Sequence, residues 1–155
     1  MTTFRRATFD DVELLAAWHA DPEVSRYWDD ETFTADELRK HLERVDVDSW
    51  IVVEGGEPVG YLQSWWEEGE PRRGGLDGFL VPDAQGRGVM PRAARGLAEF
   101  LLAAGWADVT VDPYVWNERA IRAWSKAGFV ERSRHPADDD HSAEWVLMTF
   151  PVPGT

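Results

Sequence analysis

The run Leu80-Val81-Pro82-Asp83-Ala84-Gln85-Gly86-Arg87-Gly88 joins a strand-like segment to a helix-like one through two closely spaced glycines. Glycine lets the backbone approach a ligand closely and adopt positive φ. The first turn of a helix then offers unpaired N–H groups and a positive dipole end to an anion such as a pyrophosphate. Pro91 falls in that first turn, where a missing N–H is harmless, and Arg87 adds a positive charge. Alone, this pattern fits an ordinary strand-to-helix turn equally well. It is not a Walker loop, because no Gly-Lys-Ser/Thr comes after it. Nor is it a Rossmann loop, because no third glycine stands at the right place and the preceding strands look antiparallel.

Two carboxylates stand at strand ends. Asp77 opens a strand beside Gly78 ahead of the loop, and Asp112 closes another before Pro113. A carboxylate so placed can anchor an ammonium or take its proton; a turn-forming Asp fits the same position. Glu67, Glu68, Glu70 and the run Asp138-Asp139-Asp140 read as solvated loops. His135 and His141 lack metal-ligand spacing, so no metal is expected. The absence of cysteine excludes disulfides, thiolate nucleophiles and Cys-bound zinc.

The elements that would position these residues can be read from periodicity. Phe4 to Ala7 reads as a strand. Val12, Leu14, Leu15 and Trp18 form one apolar helix face, ended by Asp21-Pro22. Thr34 and Glu37 make a capping box for a helix whose buried stripe is Leu38, Leu42 and Val45. The period then changes. Trp50 to Glu54 and Pro58 to Trp66 are strands joined by Gly55-Gly56-Glu57, a hairpin signal. Leu76 to Val81 is the next strand. Pro91 to Ala104 is a helix with Ala94, Leu97, Ala98, Leu101 and Leu102 inward and Gly105 as its stop. A strand from Asp108 to Asp112, a helix from Asn117 to Ala127 and strands at Phe129 to Ser133 and Glu144 to Phe150 close the chain. No linker or repeat interrupts this order, which predicts one α+β domain over residues 1–155 with a mixed central sheet.

Composition narrows the partners. A chain of 155 residues is long enough for one substantial core. No apolar run approaches the roughly 20 residues that span a bilayer, and the first residues lack a signal-peptide core. A cytoplasmic location without membrane association is expected. The net charge of −13 argues against a nucleic-acid surface and would concentrate cationic ligands; solubility alone explains it equally well. Nine tryptophans exceed what a core needs, and Trp28, Trp65, Trp66 and Trp116 are candidates for cleft walls as much as for packing.

Taken with the segment downstream, the loop resembles the acetyl-CoA signature of the GNAT acetyltransferase superfamily, Gln/Arg-x-x-Gly-x-Gly/Ala. Gln85 and Gly88 match, and Met90 stands at the last small position. The run from Asp112 to Phe129 (Asp-Pro-Tyr-Val-Trp-Asn-Glu-Arg-Ala-Ile-Arg-Ala-Trp-Ser-Lys-Ala-Gly-Phe) is similar to the C-terminal signature of aminoglycoside 6′-N-acetyltransferases. Gly56 to Ser64 resembles their central hairpin, Tyr27-Trp28 with its acidic turn their substrate flap, and Leu76-Asp77 the opening of their fourth strand.

The resemblance implies a GNAT fold, with a mostly antiparallel sheet flanked by helices and splayed fourth and fifth strands. It implies an acetyl-CoA-dependent N-acetyltransferase in which a small cationic amine attacks the thioester directly. Asp77 would be the base or the amine-anchoring carboxylate, with Trp28 and Asp112 also on the acceptor side. Phe79, Leu80 and Val81 would hold the pantetheine arm and thioester oxygen. Gln85, Gly86, Arg87, Gly88, Val89 and Met90 would hold the phosphates, with Asn117, Arg122 and Lys126 adding contacts. Relatives carry tyrosines, one of them a thiolate proton source, where Trp124 and Trp145 stand here; an indole N–H is no proton source. Water or Tyr114 would serve instead, or catalysis is lost. A siderophore-precursor or protein N-terminal acetyltransferase, or a non-catalytic CoA-binding module, fits the same signatures. Monomer and homodimer are both compatible with the sequence.

Overall fold

The computed structural model describes residues 1–28 and 31–152. The elements run β1 (Thr2–Arg6), α1 (Val12–Ala20), α2 (Pro22–Ser25), α3 (Ala35–Leu42), β2 (Val47–Glu54), β3 (Glu57–Glu67) and β4 (Arg73–Leu80). They continue with α4 (Val89–Ala103), β5 (Asp108–Val111), α5 (Glu118–Ala127), β6 (Val130–His135) and β7 (Trp145–Thr149). The strand order is β1-β2-β3-β4-β5-β7-β6, antiparallel in the described pairings except for the parallel pair β4–β5. This is the α+β arrangement expected from the sequence. Two compact units are distinguished: Met1–Trp65 with Asp77–Val89, and Trp66–Leu76 with the chain from Met90 onward.

In the first unit, β1 pairs with β2 and β2 with β3, the latter closed by Gly55 and Gly56 at φ 57° and 85°. Both turn residues need positive φ, so the Gly-Gly pair specifies this hairpin. Thr34 and Glu37 form the expected capping box at the start of α3. Val12, Leu15, Val24, Leu38, Ile51, Tyr61 and Phe79 make the core. Each large apolar side chain so buried contributes about 1.5–3 kcal/mol. Val45, expected in the α3 stripe, is 90% exposed. The helix ends at Leu42, so the helical period no longer governs where Val45 lies. The acidic turn expected after Trp28, Asp29-Asp30, falls outside the described residues.

In the second unit, Arg73–Gly75 pair in parallel with Asp108–Thr110, and β7 lies antiparallel to both β5 and β6. Ala93, Ala94, Leu97, Ala98 and Leu101 form the buried face of α4, and Phe100 is half exposed. Gly105 and Gly128, at φ 104° and 118°, come after the ends of α4 and α5; left-handed residues there complete the last turns without a Cβ penalty. Trp124 is buried edge-on to Phe129, so its indole belongs to the packing.

Candidate active site

Asp77 lies on β4 and accepts a hydrogen bond from Gln63 Nε2 at 3.2 Å. A carboxylate only accepts, which fixes the amide with its NH2 toward Asp77 and its oxygen away. That oxygen receives the Tyr61 hydroxyl at 2.9 Å and lies 2.9 Å from His41 Nε2, so His41 carries its proton on Nε2. Because Tyr61 donates its one proton to Gln63, Ser49 Oγ donates to Tyr61 at 2.8 Å. Tyr61 and Gln63 share a face of β3 because they are two residues apart, and Ser49 is the cross-strand partner of Gln63. The chain Ser49–Tyr61–Gln63 is thus polarised toward Asp77. Burial first, and then the Asp77 charge, push the Tyr61 phenol up, outweighing the hydrogen bond from Ser49, so it stays a donor. Sequence reasoning missed Ser49, Tyr61, Gln63 and His41, which meet only through strand pairing and helix packing.

Gln63, His41 and Tyr61 also line an open cavity of about 300 Å³, whose other walls include Trp28, Phe33, His19 and Glu37. Trp28 thus lines this cavity and also packs against the core of the first unit. His19 is 2% exposed and stands edge-on to Trp28, Phe33 and Phe79, with no hydrogen-bond partner at Nδ1. Burial, and then the charge on His41, push it down to about 4, so it is neutral at pH 7. The unfolded chain takes up a proton near the ordinary 6.5. The contribution of neutral His19 is therefore full above pH 6.5 and is lost as pH falls toward 4. It amounts to about 3 kcal/mol across that window. Thermal denaturation of His19→Phe between these limits is expected to show a flatter acid limb than wild type; an unchanged slope would contradict this account.

Asp112, in the second unit, is engaged by His141, whose Nε2 lies 2.7 Å from Asp112 Oδ2. The other ring nitrogen lies 2.8 Å from Asp138 Oδ1, and Asp138 Oδ2 accepts the Trp145 indole N–H at 3.0 Å. Trp145 stacks on His141 at 4.1 Å and on His135 at 4.4 Å. Asp138 is exposed, as expected for that run, and is also tied to two side chains; the His141 hydrogen bond draws its carboxyl below the usual range. No local signal pairs Asp112 with His141, 29 residues away. Tyr114 stacks on the half-exposed Trp116 and accepts from Ser142. Among the described residues, no group of three or more His, Cys, Asp and Glu side chains is placed to hold a metal.

The glycine loop lies directly after β4. Gly86 and Gly88 have φ 79° and 73°, values that favour glycine, and nothing lies within 4 Å of a Cβ built on Gly86. The Gln85 side chain turns inward and donates to Leu80 O at 3.1 Å, tying the loop to the strand end. The first turn of α4 holds no acidic residue, so its N–H groups suit an anion. Val89 and Met90 are buried, so the large Met90 side chain is taken up in packing. In the second unit, Asn117 caps α5 through Ala120 N–H at 3.1 Å. Arg122 pairs loosely with Glu118 at 3.9 Å, and exposed Lys126 lies in the last turn.

Residues 8–136 match the model of the acetyltransferase (GNAT) domain. The chain belongs to the GNAT acetyltransferase family. An aminoglycoside N(6′)-acetyltransferase type 1 from Klebsiella pneumoniae is 31% identical over 95% of this chain and 82% of its own length. The solved structure of AAC(6′)-Ib with paromomycin and acetyl-CoA superposes with a TM-score of 0.83 at 28% identity, covering 96% of this chain and 92% of that one. A spermidine N-acetyltransferase from Vibrio cholerae, with CoA and spermine, shares the fold at a TM-score of 0.82 and 16% identity over 96% and 94% of the two chains. Membership in this family makes the protein an N-acetyltransferase and accounts for a strand, a glycine loop and a helix in immediate succession. No helix among the described residues is long and apolar enough to cross a membrane.

Proposed function

We propose that this protein transfers an acetyl group from acetyl-CoA to a primary amine of a small cationic acceptor of the aminoglycoside type, by direct attack in a ternary complex. The observation that carries this reading is Asp77, held by Gln63, whose amide also lines the aromatic cavity. A carboxylate anchored in this way can hold an ammonium by charge and receive its proton, directly or through water. The loop fits the cosubstrate: two positive-φ glycines and an acid-free helix start favour phosphate oxygens. Gln85, Gly86, Arg87, Gly88, Val89 and Met90 are assigned to the phosphates, and Phe79, Leu80 and Val81 to the pantetheine arm and thioester oxygen. The resemblance adds Asn117, Arg122 and Lys126.

Acetyl-CoA supplies an activated acetyl thioester; the chain supplies position, charge and exclusion of water. Trp28 and Asp112 are assigned to the acceptor side. The aminoglycoside class rests on the 31% identical relative and on the net charge of −13, which favours cations. One domain spanning residues 1–155 and working in the cytoplasm completes the reading, with the family match over residues 8–136 supporting the single domain.

Thiol release from acetyl-CoA is the test, with aminoglycosides, polyamines, a hydroxylated lysine and peptides as acceptors. Amine-dependent release with aminoglycosides, at a kcat/KM at least about tenfold above the other classes, is expected from a site built for their ammonium pattern. Tight acetyl-CoA binding without amine-dependent release in any class would leave a non-catalytic module in place of the enzyme.

A further inference from the structure

We propose that His141 is a specificity-determining residue: an internal cation seated on the Asp112–Asp138 carboxylate pair, which an acceptor ammonium must displace. The inference rests on the reading of Asp112 as an acceptor anchor. Its physical basis is the donor count. The two ring nitrogens lie 2.7 and 2.8 Å from oxygens of two different carboxylates. Ionised carboxylates only accept, so both nitrogens must carry protons, and the ring in this geometry is an imidazolium. One positive charge with two diverging N–H donors is what a protonated amine would also bring to the same oxygens. The chain therefore carries its own competitor for the acceptor.

The seat is built rather than incidental. The His141 side chain is 13% exposed, and Trp145 lies parallel to it at 11° while its indole N–H holds the far oxygen of Asp138. Tyr114 meets the ring edge-on from the segment after β5. The titratable groups against the imidazole are thus Asp112, Asp138 and Tyr114, with His135 beyond on Trp145 and hydrogen-bonded to Ser133. Arg134 of β6 is tied to Glu131 at 2.9 Å. The groups that touch the ring with charge are both negative.

Loss of one proton changes the seat. Neutral imidazole keeps a single N–H, so one carboxylate then faces a ring lone pair and is released to an incoming ammonium. Burial lowers the affinity of His141 for its proton, but the hydrogen bonds and charges of Asp112 and Asp138 outweigh it, and the net shift is upward from 6.5. The seat is closed below that value and opens as pH rises through the folded-state value. An acceptor whose ammonium pairs with Asp112 feels this gate, whereas an amine that makes no contact with Asp112 does not.

The experiment measures acceptor KM for kanamycin and for a monoamine between pH 6 and 8.5 in wild type, His141→Gln and Asp112→Asn, with NMR titration of the His141 ring in wild type and Asp112→Asn. Wild-type KM for kanamycin is expected to fall roughly five-fold with rising pH, the size of one partly exposed ion pair. His141→Gln should show the low value throughout, with the change in KM rather than kcat, while the monoamine KM stays flat. The ring should titrate above 6.5 in wild type and lower in Asp112→Asn. If Asp112→Asn leaves the kanamycin KM unchanged, the anchor reading fails and takes the gate with it. If Asp112→Asn raises KM but His141→Gln keeps the wild-type pH profile, the anchor stands and the gate is overturned.

Discussion

Asp77→Asn is expected to lower kcat/KM for the acceptor amine by about 10²- to 10⁴-fold, the range for a positioned acid–base group. The substitution is nearly isosteric, and the Asn oxygen still accepts from Gln63, so the chain Ser49–Tyr61–Gln63 keeps its geometry. What is lost is the negative charge and the capacity to take a proton. A free carboxylate near ~3.9 cannot by itself strip an ammonium near ~10. In the proposed mechanism Asp77 therefore acts chiefly by holding and orienting the amine and by receiving its proton as the new bond forms. This gives the loss a pH signature. As pH approaches the acceptor's own range, the amine arrives neutral and the deficit of Asp77→Asn shrinks. Steady-state kinetics from pH 6 to 10 would reveal it. Full turnover in the variant at pH 7 would remove Asp77 from the mechanism.

The same residue shows where sequence reading succeeds and where it stops. Asp77 and the glycine loop can be picked out because their signals are local: a carboxylate stands beside Gly78 just ahead of the loop, and two glycines stand where the chain must turn into a helix, although β4 begins at Arg73 rather than at the expected Leu76. The capping box at Thr34 and Glu37, the Gly55-Gly56 hairpin and the stops at Gly105 and Gly128 are legible for the same reason. The partners of Asp77 are not. Gln63 is 14 residues away and His41 22 residues from Gln63, and only the β3–β4 neighbourhood and the packing of α3 bring them together. His19 looks like any helical histidine until three aromatic rings close on it. Asp138 reads as one of three exposed acids, and only His141 and Trp145 single it out. Trp124 occupies a position where relatives were expected to carry a proton donor, yet it is buried against Phe129. The residue type gave the chemistry it could not do; its packing role needed coordinates.

Gly60→Ala is expected to be strongly destabilising. A Cβ built on Gly60 lies 2.5 Å from Phe79 O, 2.7 Å from Leu80 Cδ2 and 3.2 Å from Leu80 Cα. Two of these atoms are backbone, so no rotamer change relieves the clash; β3 and the end of β4 must separate. Overpacking costs about 1–3 kcal/mol when side chains can adjust, and rigid backbone puts this site at or above ~3. For a chain of this length, that lowers the melting temperature by about 6–12 °C. The damage reaches function because Phe79, Leu80 and Val81 are assigned to the pantetheine arm, and Val81 N–H is held on Val59 O at 2.9 Å. Any Gly60→Ala protein that folds should therefore show a raised KM for acetyl-CoA. Gly56→Ala is the control, since its Cβ meets nothing within 4 Å and it loses only the positive-φ allowance, about 1 kcal/mol. The sequence places Gly56 in a turn and Gly60 in a strand, but only the distance to β4 shows that Gly60 has no room for a methyl. Equal melting temperatures for the two variants would show that β4 yields where the contact geometry says it cannot.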